Sequence, residues 1–507
     1  MSLALWIISA CLIYVAAVAI RLWPRQGIRH YGVDSWFHLH SARIIRRTRR
    51  LPRQVPEYII QGQWDYPPLF PALLALAPTR TLEELERFIA PLIDGLLAVI
   101  ALLATAWLTQ SIGLGLVAGA LVSINPLCIQ QSITLTPRPL GAVLLTVALA
   151  GSAAHHIWPS GAWLSLAAVS GAMVLLCHRM SAQMLVFMSI VFAVALGSPG
   201  FLFVPVASII LAWVLSRGFY WQVFRGHLGE LAFWRAHLPA QGAEHPLRLL
   251  GFGGPPAPPP EGRVPRALRD LWLPFVLTPA ILPALLFPVA SAGQWPVLMK
   301  EAWIWCVSGI ALCVLTTNVR QLRFIGEGYR YLVWTALPSG VLTAAALSYA
   351  ESRPLIIAAC VPCLPLVFWV LKGHLPSPER EKALMADLRR VAHDVRQAQA
   401  PRVLCLPLDL SSPIAYLAQI PVLRHGGQGA LMDLWRAAHK PADSLIADHQ
   451  LTHVVCDRSV IPVENLRLPH PRSVYAGGRL ELAALSETVG KRETRFVSQL
   501  TPESASG

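Results

Sequence analysis

The spacing of apolar runs constrains this chain more than any other feature. They fall at roughly 3–20, 66–78, 88–109, 112–127, 139–156, 160–177, 182–197, 200–216, 271–292, 300–317, 330–350 and 354–372. A helix needs on the order of 20 predominantly apolar residues to cross the hydrocarbon core of a bilayer, so these runs predict about twelve spans. Of the 507 residues 54% are hydrophobic and only 14% charged, too few charges to cover a water-soluble protein of this size. The expected fold class is a polytopic α-helical membrane protein over residues 1–372. The first run lacks a basic flank and a small-residue cleavage site, so it reads as a retained span. The run at 66–78 is short, carries Pro67, Pro68, Pro71 and Pro78, and is expected to cross only in part.

From about residue 373 the composition turns polar. Residues 379–397 are charged with a helical pattern. Residues 402–407, 420–424 and 452–457 read as strands around a short helix at 411–419, giving a small α/β domain over 373–507. It has no phosphate-cradling glycine loop, and Gly426-Gly427-Gln428-Gly429 lacks the strand–helix context of one. Residues 217–270 form a polar insert whose stretch 251–260 is rich in proline and glycine, composed like a flexible connector. Cys360 and Cys363 have redox or metal spacing, but inside an apolar run they read as small core residues.

The formal net charge is +14. In a membrane chain this points to anionic headgroups or a phosphate-bearing lipid rather than nucleic acid. Counting every apolar run as a crossing puts Arg80, Arg87, Arg138, Arg179, the insert and Arg330 on the side of the N-terminus, which the positive-inside rule makes cytoplasmic. The loop 21–65 then faces away from the cytoplasm, yet it holds Arg21, Arg25, Arg29, Arg43, Arg46, Arg47, Arg49, Arg50 and Arg53. Retention of an anionic substrate is a natural reason for such an outlier. The same count places the tail in the cytoplasm.

That loop gathers the candidate chemistry. Residues 34–50 fit an interfacial helix, with Phe37, Ile44 and Ile45 toward the acyl boundary and arginines at phosphate level. Asp34 and His38 are spaced i, i+4 and adjacent on it. Two readings fit: Asp34 is a general base or metal ligand tuned by His38, or Asp34 caps the helix and His38 sits at the interface. His40 and Arg43 lie on the same segment. Asp65 and Tyr66 pin the return of the loop and serve as a far cleft wall or as plain structure. Asp94 is the one acid inside an apolar run, a costly and usually functional placement. Arg138 breaks two spans, a position that also suits topology alone. Glu327, Arg330 and Tyr331 stand at the mouth of a late span, where an arginine can grip a phosphate.

As a set, Gly32-Val33-Asp34-Ser35-Trp36-Phe37-His38, the arginine-rich helix, Tyr66-Pro67-Pro68-Leu69, the many spans and Arg330-Tyr331-Leu332 resemble the GT-C superfamily of integral membrane glycosyltransferases. The likeness extends to oligosaccharyltransferase catalytic subunits and, more distantly, to protein mannosyltransferases and the lipid A aminoarabinose transferase. It covers roughly residues 1–372. It implies transfer of a sugar from a polyprenyl-phosphate or -diphosphate carrier to a glycan, lipid or protein acceptor on the outer side of the cell (inner) membrane. It also implies that Asp34 is the acid/base or a metal ligand, and it allows a divalent cofactor, Mg or Mn. No acid follows the third span near Gln110-Ser111, and the tail has no Trp-Trp-Asp motif, so oligosaccharide transfer to asparagine is not the expected reaction. Two other classes stay open: a transporter or flippase of lipid-linked glycans, for which an inverted repeat would speak and none is visible, and a membrane scaffold whose tail recruits a partner.

Overall fold

The computed structural model describes residues 2–237 and 274–485, apart from breaks at 292–294, 350–352, 362, 375, 425–430, 439, 441, 461, 467 and 469–470. Most of the insert, including 251–260, and Gly426–Gly429 lie outside the described residues. The described residues divide into two compact units: those of 2–51, 65–237 and 274–378 form a helical one, and those of 52–64 and 379–485 form the other.

The helical unit runs α1 (Leu3–Leu22), α2 (Val33–Thr48), α3 (Leu69–Leu74), α4 (Thr79–Thr109), α5 (Ile112–Ser123), α6 (Pro126–Ser132), α7 (Arg138–Ile157), α8 (Gly161–Cys177), α9 (Arg179–Ala195), α10 (Phe203–Leu215) and α11 (Phe219–Ala236). Later come the helices Val297–Asn318 and Ala336–Ala346, the second entered through a 3-10 segment, Gly328–Thr335. Ser111 and Asn125 cap α5 and α6 by accepting backbone N–H groups, and Pro139 opens α7 where no helical donor is lost. Among the described residues four helices are long and apolar enough to cross a membrane: Leu3–Arg25, Thr79–Thr109, Arg138–Ile157 and Val297–Asn318. A fifth results if α5 and α6, bent by 56°, count as one span. Further apolar helices have 10–17 residues, so among the described residues helices of full spanning length number fewer than the twelve expected. The outward residues Phe203, Val206, Ile210 and Trp213 of α10 are apolar, as a hydrocarbon surround requires.

Two differences from the sequence reading matter for the site. The run at 66–78 yields only the six-residue α3 and does not span. One crossing fewer inverts the side of every later loop in the parity count. The polar insert likewise begins as a helix, α11, rather than as connector.

Buried ion pairs tie the first loop to the bundle. Arg21 (0% exposed) pairs with Asp94 (2%), and its guanidinium also donates to the Ser123 carbonyl at 3.0 Å and that of Val122 at 3.3 Å. Arg25 holds Glu86 in a two-pronged grip at 3.1 and 2.8 Å, with His30 Nδ1 3.7 Å from the same carboxylate. Planar guanidinium forks suit such buried carboxylates.

The second unit contains a sheet of order β1-β2-β4-β3, from β1 (Val403–Leu406), β2 (His453–Asp457), β3 (Pro471–Ala476) and β4 (Leu480–Leu485). β1 and β2 are parallel, and the other pairings are antiparallel. Residues 420–424 make isolated bridges instead of the expected strand, and β3 and β4 had no counterpart in the sequence reading. Val422 accepts from the Ile59 N–H at 2.9 Å, Leu423 accepts from Ile60 at 3.0 Å, and Arg424 donates to the Ile60 carbonyl at 2.7 Å. Ile60 shares an apolar core with Leu404, Leu406 and Val454. A piece of the first loop is thus built into the tail, and segments of one folded unit share one side of a membrane. This corrects the reading that set the tail on the side opposite that loop.

Candidate active site

The helical unit assembles its polar groups at the start of α2. Gly32 stands before the helix at φ +78°, and a side chain there would collide with Thr134. Ser35 Oγ donates to the Tyr31 carbonyl at 2.6 Å and accepts from the Leu135 N–H at 2.9 Å. The first turn of α2 is therefore fastened to the loop that precedes α7. Asp34 lies in that turn but is not its cap, which is Gly32. Its Oδ2 is 3.6 Å from an Arg138 nitrogen, with the side chains 44% and 22% exposed.

Three further elements converge here. Between α8 and α9, His178 Nδ1 accepts from the Ser181 N–H at 3.3 Å, capping α9. Burial and then the charges of Arg138 and Arg330 hold its pKa well below the usual imidazole range, so the ring is neutral. Arg179 meets Asp65 at 2.9 Å and also pairs with Glu230 of α11. Burial outweighs Arg179 and pushes the Asp65 carboxyl up. Gly226 of α11 has no room for a Cβ because the Asp65 side chain lies against it. Tyr66 feels Asp34, Arg138 and Arg179, and burial pushes its phenol far above its usual range.

The 3-10 segment Gly328–Thr335 closes the group. Arg330 binds Glu327 at 2.7 Å; against the lowering effect of burial, Glu327 first, then Tyr329 and Asp34, raise its pKa, so it lies in the field of Asp34. Tyr331 donates to Gln183 Oε1 at 2.8 Å, and Gln183 Nε2 is 3.2 Å from His227 Nε2. Arg330 therefore stands at the same end of the bundle as Asp34, contrary to the parity count. Arg138, Arg179 and Arg330 join the first loop there, and the charge contrast that made the loop an outlier disappears.

Of the sequence candidates, Asp34, Tyr66, Arg138 and Arg330 come together, flanked by Asp65, Glu327 and Tyr331. His38 (1% exposed) lies among Phe37, Tyr66 and Phe70, with ring centroids 5.0–5.5 Å apart. His40, equally buried, has its Nδ1 3.2 Å from Arg43. Both imidazoles pack inside the protein. So do Phe37, Ile44 and Ile45, and α2 turns its apolar face to α3 and α4 rather than to lipid. Asp94 is enclosed in a buried ion pair with Arg21. His178, Arg179, Gln183, His227 and Glu230 were not candidates, although His178-Arg179 was visible as a polar break between apolar runs.

Among the described residues no group of three or more His, Cys, Asp or Glu side chains converges as a metal site. The residues present do not form a protein-held site for a divalent ion around Asp34. They form a carboxylate opposed by guanidinium groups at a partly open bundle end, which can take a proton from one substrate group and stabilise negative charge on another.

The chain shares its fold with solved structures of an oligosaccharyltransferase and of ArnT. No protein-family model matches the chain, and no curated protein matches its sequence. Solved structures do. The Archaeoglobus fulgidus oligosaccharyltransferase in its apo form superimposes with a TM-score of 0.59 at 13% identity, covering 89% of this chain and 69% of that one. The oligosaccharyltransferase AglB of the same organism, in complex with an inhibitory peptide and a dolichol-phosphate, gives 0.57 at 13% identity over 90% and 70%. ArnT from Cupriavidus metallidurans bound to undecaprenyl phosphate gives 0.58 at 13% identity, covering 96% of this chain and 99% of that one. At such identity the likeness is one of fold.

Proposed function

We propose that this protein is a membrane glycosyltransferase that moves a sugar from a polyprenyl-phosphate or -diphosphate carrier to a glycan, lipid or protein acceptor. The observation that carries the reading is the half-exposed Asp34 carboxylate 3.6 Å from Arg138 and within the field of Arg330. The fold likeness to proteins whose structures hold dolichol-phosphate or undecaprenyl phosphate supports the donor class.

In the step proposed, the bond between the anomeric carbon and the carrier phosphate breaks and a bond to the acceptor heteroatom forms. Asp34 takes the acceptor proton. The phosphate leaves with the bonding electron pair, and Arg138 and Arg330 stabilise its charge. Tyr66, neutral, offers a hydrogen bond, while the Asp65–Arg179–Glu230 group supports the opposite wall. The site faces away from the cytoplasm of the cell membrane in this reading. Arg21, Arg25 and Arg179 are committed to internal ion pairs, so their charges weigh little as topology signals.

The test is incorporation of sugar from a polyprenyl-linked donor by purified wild type and Asp34→Asn. Equal rates would remove Asp34 from the reaction. Absence of transfer with every polyprenyl donor would point to transport of the carrier instead.

A further inference from the structure

A cavity lies within the helical unit, toward the end away from Asp34. It has a volume of about 580 Å³ and lies among α4, α7, α8, α9 and the helices Val297–Asn318 and Ala336–Ala346. Arg138 is the first residue of α7 and Trp158, on the cavity wall, directly follows its last. The cavity's lining on α7 begins at Thr146, eight residues and about 12 Å along the helix from Arg138, and runs on to Trp158, so the cavity lies apart from Asp34 and Arg138 toward the other end of the bundle.

The wall is apolar and aromatic, with Trp107, Trp158, Trp163, Trp305 and Phe192. Trp107 and Trp158 meet edge to face at 5.7 Å and are about half exposed, rimming the mouth as tryptophans do at a membrane interface. Into this wall is set one acid, Glu301. It is 3% exposed, and neither carboxylate oxygen has a hydrogen-bond partner among the described residues. No lysine, arginine or histidine is among the lining residues. A carboxylate buried in an apolar wall without a partner is costly, and a cation supplied from outside the chain removes that cost.

We infer that this cavity binds an amphiphile with an ammonium head. The ammonium bonds to the Glu301 carboxylate in a charge-assisted contact. The indole faces add cation–π attraction, and the hydrocarbon chain runs out along the tryptophan wall. The ammonium comes from an aminophospholipid headgroup or from a free long-chain amine.

Isothermal titration of the full chain in neutral detergent tests this, with dodecylamine as probe and dodecanol as the uncharged control. Wild type is expected to bind dodecylamine saturably and at least tenfold tighter than dodecanol. Glu301→Gln is expected to weaken dodecylamine at least tenfold and leave dodecanol unchanged. Ala302→Phe, which narrows the cavity and keeps the charge, is expected to weaken both, and it carries the test if the glutamine variant does not fold. Displacement of dodecylamine by phosphatidylethanolamine, with phosphatidylglycerol inert, assigns the site to a lipid headgroup; no displacement assigns it to a free amine. Equal binding of amine and alcohol by wild type, or undiminished amine binding by Glu301→Gln, would overturn the inference.

Discussion

The Ser35 hydroxyl accepts a hydrogen bond from the Leu135 backbone N–H at 2.9 Å, joining the first turn of α2 to the loop before α7 across 100 positions of sequence. The residue beside Ser35 is Asp34, and three residues after Leu135 comes Arg138. Their approach to 3.6 Å follows from this fastening. Ser35→Ala leaves a buried N–H without its partner, at a cost of about 1–3 kcal/mol. We expect a lower melting temperature in detergent together with a drop in turnover. A melting loss at full turnover would show that the fastening does not place Asp34.

Asp34→Asn keeps the shape and removes the base. Sugar transfer is expected to fall by roughly 10²-fold or more with melting unchanged. Arg138→Gln removes charge opposite the departing phosphate and is expected to lower turnover about as strongly. Steady-state kinetics with a polyprenyl-phosphate sugar separates turnover from donor binding.

Glu86 is wholly buried between Arg25 and His30. Glu86→Gln leaves the Arg25 charge uncompensated, and breaking a buried pair in this way costs about 3–5 kcal/mol. Thermal melting should show a large loss. The double variant Arg25→Met with Glu86→Leu is expected to recover most of it, because it removes both charges.

Two imidazoles, buried His178 and partly buried His227, set a pH limit. Burial lowers the His227 pKa to about 4, and His178 is held well below its usual value by burial and by neighbouring cations. Both folded values lie below the unfolded value near 6.5, so the unfolded chain binds more protons as pH falls from 6.5 toward 4. Stability present above 6.5 is then lost, by at most about 1.4 kcal/mol per pH unit for each ring. Melting between pH 7 and 5 should show the decline, and His227→Gln should flatten part of it. A melting temperature independent of pH in that window would contradict the assignment.

The loop segment 52–64 and the tail belong to one folded unit, so they share a side of the membrane. Single cysteines placed at Gln61 and Arg472 in a background without reactive cysteine should be labelled by an impermeant maleimide from the same side of oriented vesicles. We expect that side to be the external one. Labelling of both from the cytoplasm would reverse the proposed orientation.

Much of this was legible in the chain itself. Apolar composition and run length announced a helical membrane protein, since hydrocarbon demands apolar surface and internally satisfied backbone. The local pattern around Asp34 and the breaks at Arg138 and Arg330 marked candidate positions, because charges in such surroundings are costly, and the fold brings these residues to one end of the bundle. β1, β2 and the helix at 411–418 could be read from short apolar runs, whereas β3, exposed along most of its length, offered no such run.

What the sequence could not decide was which charges meet. Whether residues 66–78 cross depends on how α3 packs, and the parity count hung the side of every later loop on it. Asp94, an acid inside an apolar run, is met by Arg21 from another helix, and Arg179, counted as a topology signal, pairs with both Asp65 and Glu230. Side-chain period and hydropathy are properties of neighbours in sequence. Ion pairing and the backbone pairing of loop with tail are set by distances that exist only once the chain has folded.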